Sequence, residues 1–440
     1  MSKIRDRLKS RLGLVGSDGS PVESRQEVVE SFLSGIVLQF LLLVSGIIAA
    51  RALGDQGRGQ QALIFIVALT ASQVGLFGLP LALTYEAARG QNLARRWLAH
   101  IAPVAFAQTV LVLLVYSVLM FLVFSDRVPL SAALVTLPTL PALIWQAYGL
   151  AVLQGHHQFR ALHVFRLTPI AVYTIGLVFV HVLFKDSVFA VMAVWSASYI
   201  VGAAATQVYI GWTGRGDREE PELGSVVLPN RTKMARFGAS AFLGASSPLE
   251  VFRVDQLAVG AVLTTVDLAL YSTALAFCNF PRFLTLALGL TAYARISAVQ
   301  SAETRNHLVV RYATLGTIVA ILVSTPLAIF AGPLINLTFG PEFSGATAVT
   351  QILLGATVLL CSRRILSDCL RGAGLPGAGS MAEITSLIAL VPTALILVPP
   401  LQLEGFAFAM VASYACGLVA ILIYWARRRG QMVTSGEDGA

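Results

Sequence analysis

Long runs of apolar residues alternate with short polar connections along nearly the whole chain, from Phe32 to Trp425. A helix of about 20 residues crosses a hydrocarbon core of roughly 30 Å, and each run is long enough for one crossing. The pattern therefore predicts an all-α polytopic membrane protein with twelve transmembrane helices. Their expected limits are 29–50, 60–84, 100–124, 130–153, 163–184, 187–211, 236–263, 268–290, 307–330, 346–370, 378–399 and 402–426.

The composition agrees with a membrane protein. The 440 residues are 56% hydrophobic and only 12% charged, whereas about 25% of the residues in a soluble domain are charged. The four cysteines lie inside apolar runs without the spacing of a metal site, so neither a metal nor another cofactor is expected. The chain also lacks a glycine-rich phosphate-binding loop ending in Lys-Ser or Lys-Thr, and we expect no enzymatic activity.

The distribution of arginine and lysine predicts the orientation of the helices. These residues concentrate in the connections on one side, and the opposite side has only Arg51, Arg58, Arg127 and Lys185. Cytoplasmic connections are enriched in positive charge, so we expect both termini in the cytoplasm and the protein in the plasma membrane. Because the cations lie between hydrophobic spans rather than on one face of a domain, the pI of about 9.5 does not indicate nucleic-acid binding.

A long polar interruption, residues 212–235, divides the predicted helices into two groups of six. We expect an N-lobe at 29–211 and a C-lobe at 236–426, joined by this cytoplasmic loop and flanked by a basic segment (1–28) and a tail (427–440). Short segments of similar sequence pattern occur in both lobes, such as "VLQGHHQFRALHVFRL" (152–167) and "CLRGAGLPGAGSMAEI" (369–384). They predict a pseudo-two-fold axis along the membrane normal. Many transporters bind substrate between such repeats.

The seventh predicted span carries several charges. One charge at the bilayer centre costs roughly 2.5–3.5 kcal/mol on insertion scales, and intramembrane charges usually line a cavity or pathway. The eighth span adds Asn279 and Arg282, so a polar surface is expected between these helices. On a continuous seventh helix, its polar stripe would consist of Ser246, Glu250, Arg253, Gln256 and Gly260, with Asp255 on the opposite side.

Two other spans contain features that affect packing. In the tenth span, Arg364 and Asp368 are spaced i,i+4 and are interpreted as an ion pair that ties helices together. In the second span, Gly75, Gly78 and Pro80 weaken the helix, which predicts a kink near the middle of the membrane.

Five segments carry a family resemblance. They read "GIIAARALGDQGRG" (46–59), "GLFGLPLALTYEAAR" (75–89), "RVDQLAVGAVLTTVDLALYSTALAF" (253–277), "FGPEFSGA" (339–346) and "LRGAGLPG" (370–377). In order and spacing they resemble the multidrug/oligosaccharidyl-lipid/polysaccharide (MOP) exporter superfamily, and most of all its Wzx-type polysaccharide flippases. One departure is "VDLALY" (266–271), where the family commonly has glycine before the aromatic residue. The resemblance implies two pseudo-symmetric six-helix lobes around a central cavity.

The resemblance also implies a function, the flipping of a polyprenyl-pyrophosphate-linked oligosaccharide for cell-surface polysaccharide biosynthesis. Alternating access would come from rocking between inward-open and outward-open states. Arg253, with Arg51, Arg58 and Arg282, would replace the water lost by the pyrophosphate. Hydrogen bonds to sugar hydroxyls would come from Gln39, Gln73, Gln256 and Asn279.

The acidic residues have two candidate roles. Glu250 and Asp255 would hold the arginines in place or carry a coupling proton, and the sequence does not rank proton against sodium coupling. Arg364 and Asp368 are assigned to charge pairing. The expected partners are the lipid-linked oligosaccharide, membrane lipids and a coupling ion, with the polysaccharide polymerase machinery as a further candidate.

Other functions remain open at this stage. An ion-coupled multidrug antiporter of the same superfamily would share the topology, although several intramembrane arginines disfavour cationic drugs. A membrane glycosyltransferase or polymerase would need a larger outer loop with catalytic residues, and a scaffold without transport would not need a polar interior stripe. A lipid II flippase usually has two additional helices, which the hydropathy pattern does not show.

Overall fold

The computed structural model describes residues 25–89, 94–184, 186–213, 231–245, 252–299, 301–375 and 377–434, and these residues form helices and short connections. The N-terminal half contains α1 (Arg25–Leu76), α2 (Leu79–Arg89), α3 (Ala94–Val118, continued by a π-helical turn at Leu119–Val123), α4 (Leu130–Val135), α5 (Thr139–Gly155), α6 (Phe159–Leu183) and α7 (Val188–Thr213). The C-terminal half contains α8 (Arg231–Ala245), α9 (Val254–Val262), α10 (Thr265–Ser297), α11 (Ala302–Ile329), α12 (Ala331–Thr338), a 3-10 turn (Pro341–Phe343), α13 (Ala346–Gly372) and α14 (Gly377–Thr434).

In the described part of the chain, nine helical stretches are long and apolar enough to cross a membrane. Two of them, of 47 and 52 residues, are about twice the length of one crossing. Each contains a residue with non-helical backbone angles, Gly54 (φ 64°) in α1 and Gln402 (φ 46°) in α14. Gly54 lies between the predicted spans 29–50 and 60–84, and Gln402 is the first residue of the predicted span 402–426, so each long stretch holds two crossings.

The predicted kink in the second span is a complete break. α1 ends at Leu76, Phe77 and Gly78 have positive φ values of 46° and 70°, and α2 begins at Leu79. Glycine suits this conformation because it lacks the Cβ that hinders positive φ. The side-chain amide of Gln108 donates to the carbonyl oxygen of Leu76, which satisfies one backbone group released by the break.

The seventh span was predicted as one regular helix, and this was wrong. α8 ends at Ala245, α9 begins at Val254, and Arg253 between them has a left-handed backbone (φ 48°, ψ 45°). The predicted stripe is therefore not maintained: Gly260 packs against Leu63 and Leu268, and Asp255 does not point away from Arg253. Two members of the stripe, Ser246 and Glu250, lie outside the described residues.

The helices pack as two groups that meet along two seams. In the C-terminal group, α13 packs against α10, α11 and α14, and in the N-terminal group α5, α6 and α7 pack against one another. The groups meet where α1 contacts α10 and where α2 contacts α8. This arrangement leaves a space between the predicted lobes. The exact lobe limits stay a prediction.

Candidate functional site

A cavity of about 760 Å³ lies between the two groups of helices. Both halves contribute to its wall, since lining residues come from α1, α5, α6 and α7 on one side and from α9, α10, α13 and α14 on the other. The polar and aromatic lining includes Gln39, Arg58, Phe65, Gln61, Gln73, Gln146, Arg166, Tyr173, Trp195, Tyr199, Arg253, Asp255, Gln256, Asn279, Arg282, Arg364 and Tyr414. The cavity therefore has a strongly polar wall inside a largely apolar protein.

Seven of the eight residues predicted to face a central cavity are on its lining, namely Gln39, Arg58, Gln73, Arg253, Gln256, Asn279 and Arg282. The eighth, Arg51, is exposed and lies elsewhere. Its Nε donates to the carbonyl oxygen of Thr338 at 2.7 Å, and its Nη2 donates to that of Leu337. These are the last carbonyls of α12, which have no partner within the helix and carry its negative dipole end.

Arg253 is an exposed arginine on the C-terminal wall of the cavity. It is the N-terminal flanking residue of α9, and its left-handed conformation is of the kind that costs about 1–3 kcal/mol and clusters at functional sites. Among the residues that the structure describes, the guanidinium has no hydrogen-bond partner. The side-chain amides of Gln39, Gln73, Gln256 and Asn279 also lack one within this part of the chain. The wall thus presents donors and acceptors that a bound ligand can use.

Asp255 supplies negative charge beside these arginines. It is buried, lines the cavity, and accepts a hydrogen bond from the hydroxyl of Tyr271 at 2.9 Å. Its charge interactions are with Arg282 and Arg253. Asp255 therefore partly neutralises the cationic wall, and the hydrogen bond from Tyr271 fixes the orientation of its carboxylate.

The two residues of the predicted pair in the tenth span lie beside the cavity, and their pairing stays a prediction. Arg364 is on the cavity lining, whereas Asp368 is not among the lining residues and accepts a hydrogen bond from Arg371 at 2.9 Å. The second carboxylate oxygen of Asp368 lies against Gly289 of α10, where an added Cβ would be 2.2 Å away. The carboxylate therefore sits at the α10–α13 contact, next to the cavity rather than inside it.

Arg58 is held on the N-terminal wall by neutral groups. Its Nη1 donates to the side-chain oxygen of Gln61, and the amide of Gln61 donates to the hydroxyl of Tyr173. Tyr173 and Gln61 are buried, so this chain of hydrogen bonds fixes the guanidinium. No carboxylate forms an ion pair with Arg58 in the described parts of the chain.

Several lining residues were missed by the sequence analysis. Gln146, a lone amide within an apolar run, had a signal that could have been recognised. Tyr199 had none, because aromatic residues are common in membrane spans. It packs edge-on against Trp195, with ring centroids 5.5 Å apart, and Trp195 stacks on Phe65. The hydroxyl of Tyr199 has no hydrogen-bond partner within the described residues. These rings form an aromatic surface beside Arg58.

A buried ion pair was also missed. Arg363 of α13 and Glu383 of α14 form a salt bridge with only 6% and 8% of their side chains exposed. Arg363 also donates to the hydroxyl of Ser386 at 3.1 Å and lies over the ring of Tyr414, 5.6 Å from its centroid. This pair joins two helices of the C-terminal group and is separate from the cavity-lining arginines.

The two groups of helices are in contact at both predicted ends of the cavity. At the predicted outer end, Arg127 donates to the carbonyl oxygens of Gly260 and Leu263. At the predicted cytoplasmic end, Phe32 stacks on Phe283 with centroids 5.8 Å apart, and Tyr85 stacks on Phe237 of α8 at 4.7 Å. In the described sequence, no group of three or more histidine, cysteine, aspartate or glutamate residues is placed to hold a metal ion.

The sequence pattern of the family described as "Polysaccharide biosynthesis protein" matches residues 24–300. No curated protein gives a significant match. Among solved structures, the inward-facing form of a multidrug resistance MATE family transporter of the MOP superfamily has a TM-score of 0.68 at 15% identity, covering 93% of this chain and 99% of that chain. The lipid II flippase MurJ, in an inward closed conformation, also has a TM-score of 0.68, at 11% identity and with 94% and 91% coverage.

A third similar structure is a MOP superfamily transporter from Pyrococcus furiosus, for which a binding pocket of reverse polarity suggests a different function. Its TM-score is 0.61 at 15% identity, and 91% of this chain and 94% of that chain are covered. These likenesses confirm the predicted all-α fold of twelve membrane helices in two six-helix lobes, and the protein is a multi-pass membrane protein. The family pattern covers well over half of the sequence, so the chain belongs to the polysaccharide biosynthesis protein family and has the fold of the MOP superfamily of transporters and flippases.

Proposed function

We propose that the protein is a Wzx-type flippase that moves a polyprenyl-pyrophosphate-linked oligosaccharide across the plasma membrane, with both of its termini in the cytoplasm. The observation that carries this proposal is the position of Arg253. Its guanidinium faces a cavity between the lobes without a hydrogen-bond partner among the described residues, in a chain of the polysaccharide biosynthesis family. A ligand that supplies oxyanions would satisfy it.

The charge of the cavity supports an anionic substrate. Five arginines and one aspartate are on the described lining, and guanidinium groups bind phosphate oxygens through paired, charge-assisted hydrogen bonds. Arg253 and Arg282 lie with Asp255 on the C-terminal wall, where they would receive the pyrophosphate. Asp255 would balance these cations while the cavity is empty of substrate.

The size and the polar groups of the cavity support a lipid-linked glycan. Ligand pockets are typically about 300–1,000 Å³, so a cavity of about 760 Å³ suits the pyrophosphate and its nearest sugars. Amides such as Gln73 and Asn279 would bond to the sugar hydroxyls, which lose their water inside the membrane. The polyprenyl tail would stay in the surrounding lipid, since it is apolar.

Two further parts of the proposal concern coupling and partners. Asp255 is the described acidic residue on the cavity wall and is the candidate for a coupling proton, with a sodium ion as the alternative. Polysaccharide polymerase machinery would receive the flipped substrate. A multidrug antiporter is the competing function on this fold, and the arginines on the wall oppose it because cationic drugs would be repelled.

The test uses proteoliposomes that contain a fluorescent polyprenyl-pyrophosphate oligosaccharide, with flipping followed by exposure of the label to an external quencher. The compared proteins are the wild type, Arg253→Ala, Arg253→Lys and the control Arg311→Ala, which removes an exposed arginine of α11 away from the cavity. Flipping by the wild type and the control, lost with alanine and partly kept with lysine at position 253, is expected. Equal flipping by all four proteins would reject the role of Arg253. Ion-driven efflux of a small cation, with no flipping, would reject the proposed function.

A further inference from the structure

We propose that the cavity contains a second anion subsite at Arg58, separate from the pyrophosphate subsite at Arg253, and that the transported glycan carries an acidic sugar. This inference rests on the proposed function and specifies its substrate class. The acidic group would be a carboxylate on a sugar near the pyrophosphate. The argument uses the position of Arg58, its neutral partners and the charge of the lining.

The backbones of Arg58 and Arg253 lie at different depths along the cavity wall. Gly59, the neighbour of Arg58, packs directly against the carbonyl of Thr265 at the start of α10. Arg253 precedes the nine residues of α9, which end three residues before Thr265. At 1.5 Å per residue, α9 is about 13 Å long. The backbone of Arg58 is therefore closer to the predicted outer end, and its guanidinium points inward along α1, where an added Cβ on Gly46 would lie 3.8 Å from Nη2.

Aromatic side chains separate the two arginines along the wall. Tyr173 accepts a hydrogen bond from Gln61, the partner of Arg58. From Tyr173 the aromatic contacts continue through Phe65 and Trp195 to Tyr199, with successive centroid distances of 6.1, 3.9 and 5.5 Å, and Tyr199 is near Arg253. The Tyr199 hydroxyl has no hydrogen-bond partner among the described residues, and its ring lines the cavity. Sugar rings present both C–H faces and hydroxyls, so this surface suits the part of a glycan that would join the two charged groups.

The buried Arg363 differs from Arg58 because its positive charge is compensated by a carboxylate of the protein itself. Arg363 has Glu383 in direct contact and the hydroxyl of Ser386 at 3.1 Å, so its charge is balanced within the C-lobe. Arg58 is bonded to the neutral amide of Gln61 instead. An uncompensated cation inside a membrane is costly. We therefore expect the positive charge of Arg58 to be balanced by an anionic group of the ligand that enters the cavity.

On the part of the lining that the structure describes, the arginines also outnumber the negative charges of a pyrophosphate. If Asp255 is set against Arg282, and Arg364 is set against Asp368 as the sequence predicts, the remaining cations of the described lining are Arg58, Arg166 and Arg253. A phosphate in a diester carries one negative charge, so the pyrophosphate balances two of these three arginines. One carboxylate on the glycan would balance the third. Arg58 is the one fixed by a hydrogen-bond chain, and guanidinium pairs well with a carboxylate.

The test compares two fluorescent polyprenyl-pyrophosphate disaccharides that differ in one group, a terminal glucuronate in one and its uncharged glucuronamide in the other. Initial flipping rates are measured in proteoliposomes below saturation. The wild type is expected to flip the glucuronate form about tenfold faster, since hydrogen bonds to charged groups are worth about 1.5–3 kcal/mol. Arg58→Gln is expected to bring the ratio of the two rates close to one, and Arg58→Lys to keep part of it. Arg253→Gln is expected to lower both rates with the ratio retained.

The outcomes separate this inference from the proposed function. If the wild type flips both substrates at equal rates, or the amide faster, the acidic-glycan inference is overturned while the flippase assignment stands. If the wild type flips neither substrate, the proposed function fails. A wild-type preference that persists in monodisperse Arg58→Gln protein would overturn the assignment of the subsite to Arg58. If that variant does not fold, the ratio of the two flipping rates in the wild type and in Arg58→Lys still tests the inference.

Discussion

Arg127, in the connection between α3 and α4, donates a hydrogen bond to the carbonyl oxygen of Gly260 in α9, 2.6 Å away. The same Nη1 lies 2.7 Å from the carbonyl oxygen of Leu263. The last carbonyls of a helix lack intrahelical partners and carry partial negative charge. An arginine of the N-lobe therefore caps the end of a C-lobe helix, and Arg51 does the same for α12 through Thr338 and Leu337. Both contacts lie at the predicted outer end and hold the lobes together there.

Removing this cap should favour an outward-open state. Arg127→Ala loses the hydrogen bonds from a charged donor to two carbonyl oxygens. We therefore expect the population of the state with a closed outer end, relative to the outward-open state, to decrease about tenfold. Spin labels on Gln56→Cys and Glu342→Cys, in a background without the native cysteines, would report the change as a longer interlobe distance in pulsed electron resonance. Arg311→Ala is the matched control. An unchanged distance distribution in Arg127→Ala would show that the cap does not hold the outer end.

The sequence was sufficient to predict most of the helices, because a bilayer requires about 20 apolar residues for each crossing. The break after Leu76 was foreseeable for a similar reason, since Gly78 and Pro80 lie together in one span. The prediction of one continuous helix for the seventh span was wrong because no local sequence pattern indicates that an arginine will adopt a left-handed backbone conformation. Positive φ is rare for residues other than glycine, and Arg253 adopts it only in the packed structure.

The candidate site was partly predictable. Arg253, Arg282 and Gln256 stand out because polar groups are rare in membrane spans. The position of Arg51 depends on α12, whose capped carbonyls are 286 and 287 residues further along the chain. Only tertiary packing decides whether an arginine at the outer end of a span faces the cavity or such a helix end.

Asp255 should stabilise the empty cavity and compete with bound anions. Asp255→Asn removes the negative charge that faces Arg282 and Arg253, so we expect a lower Tm in detergent solution and a larger increase in Tm on addition of inorganic pyrophosphate. Tyr271→Phe removes only one hydrogen bond to the carboxylate and should cost about 1 kcal/mol. Thermal melts with and without pyrophosphate would measure both effects. Equal Tm values for Asp255→Asn and the wild type in the absence of pyrophosphate would contradict this role.

The Arg363–Glu383 pair should be structural. Glu383→Gln leaves a buried guanidinium without its counter-charge, a change that typically costs about 3–5 kcal/mol. The matched control is Glu30→Gln, because Glu30 pairs with Arg160, whose side chain is 76% exposed, and exposed pairs contribute about 0–1 kcal/mol. We expect a clear decrease in Tm for Glu383→Gln and little change for the control. Similar decreases in both variants would mean that burial of the first pair does not matter.

Gly59 should be required for closure of the outer end. A Cβ at this position would lie 1.8 Å from the carbonyl oxygen of Thr265, far inside van der Waals contact, so Gly59→Ala must push the N-lobe away from the start of α10. Gly211→Ala is the control, since nothing lies within 4 Å of a Cβ there. With the labels on Gln56→Cys and Glu342→Cys, we expect a longer outer distance and slower flipping for Gly59→Ala. A normal distance together with normal flipping would show that α10 can shift to accept the methyl group, and the close approach of Gly59 to Thr265 would then not be needed for closure.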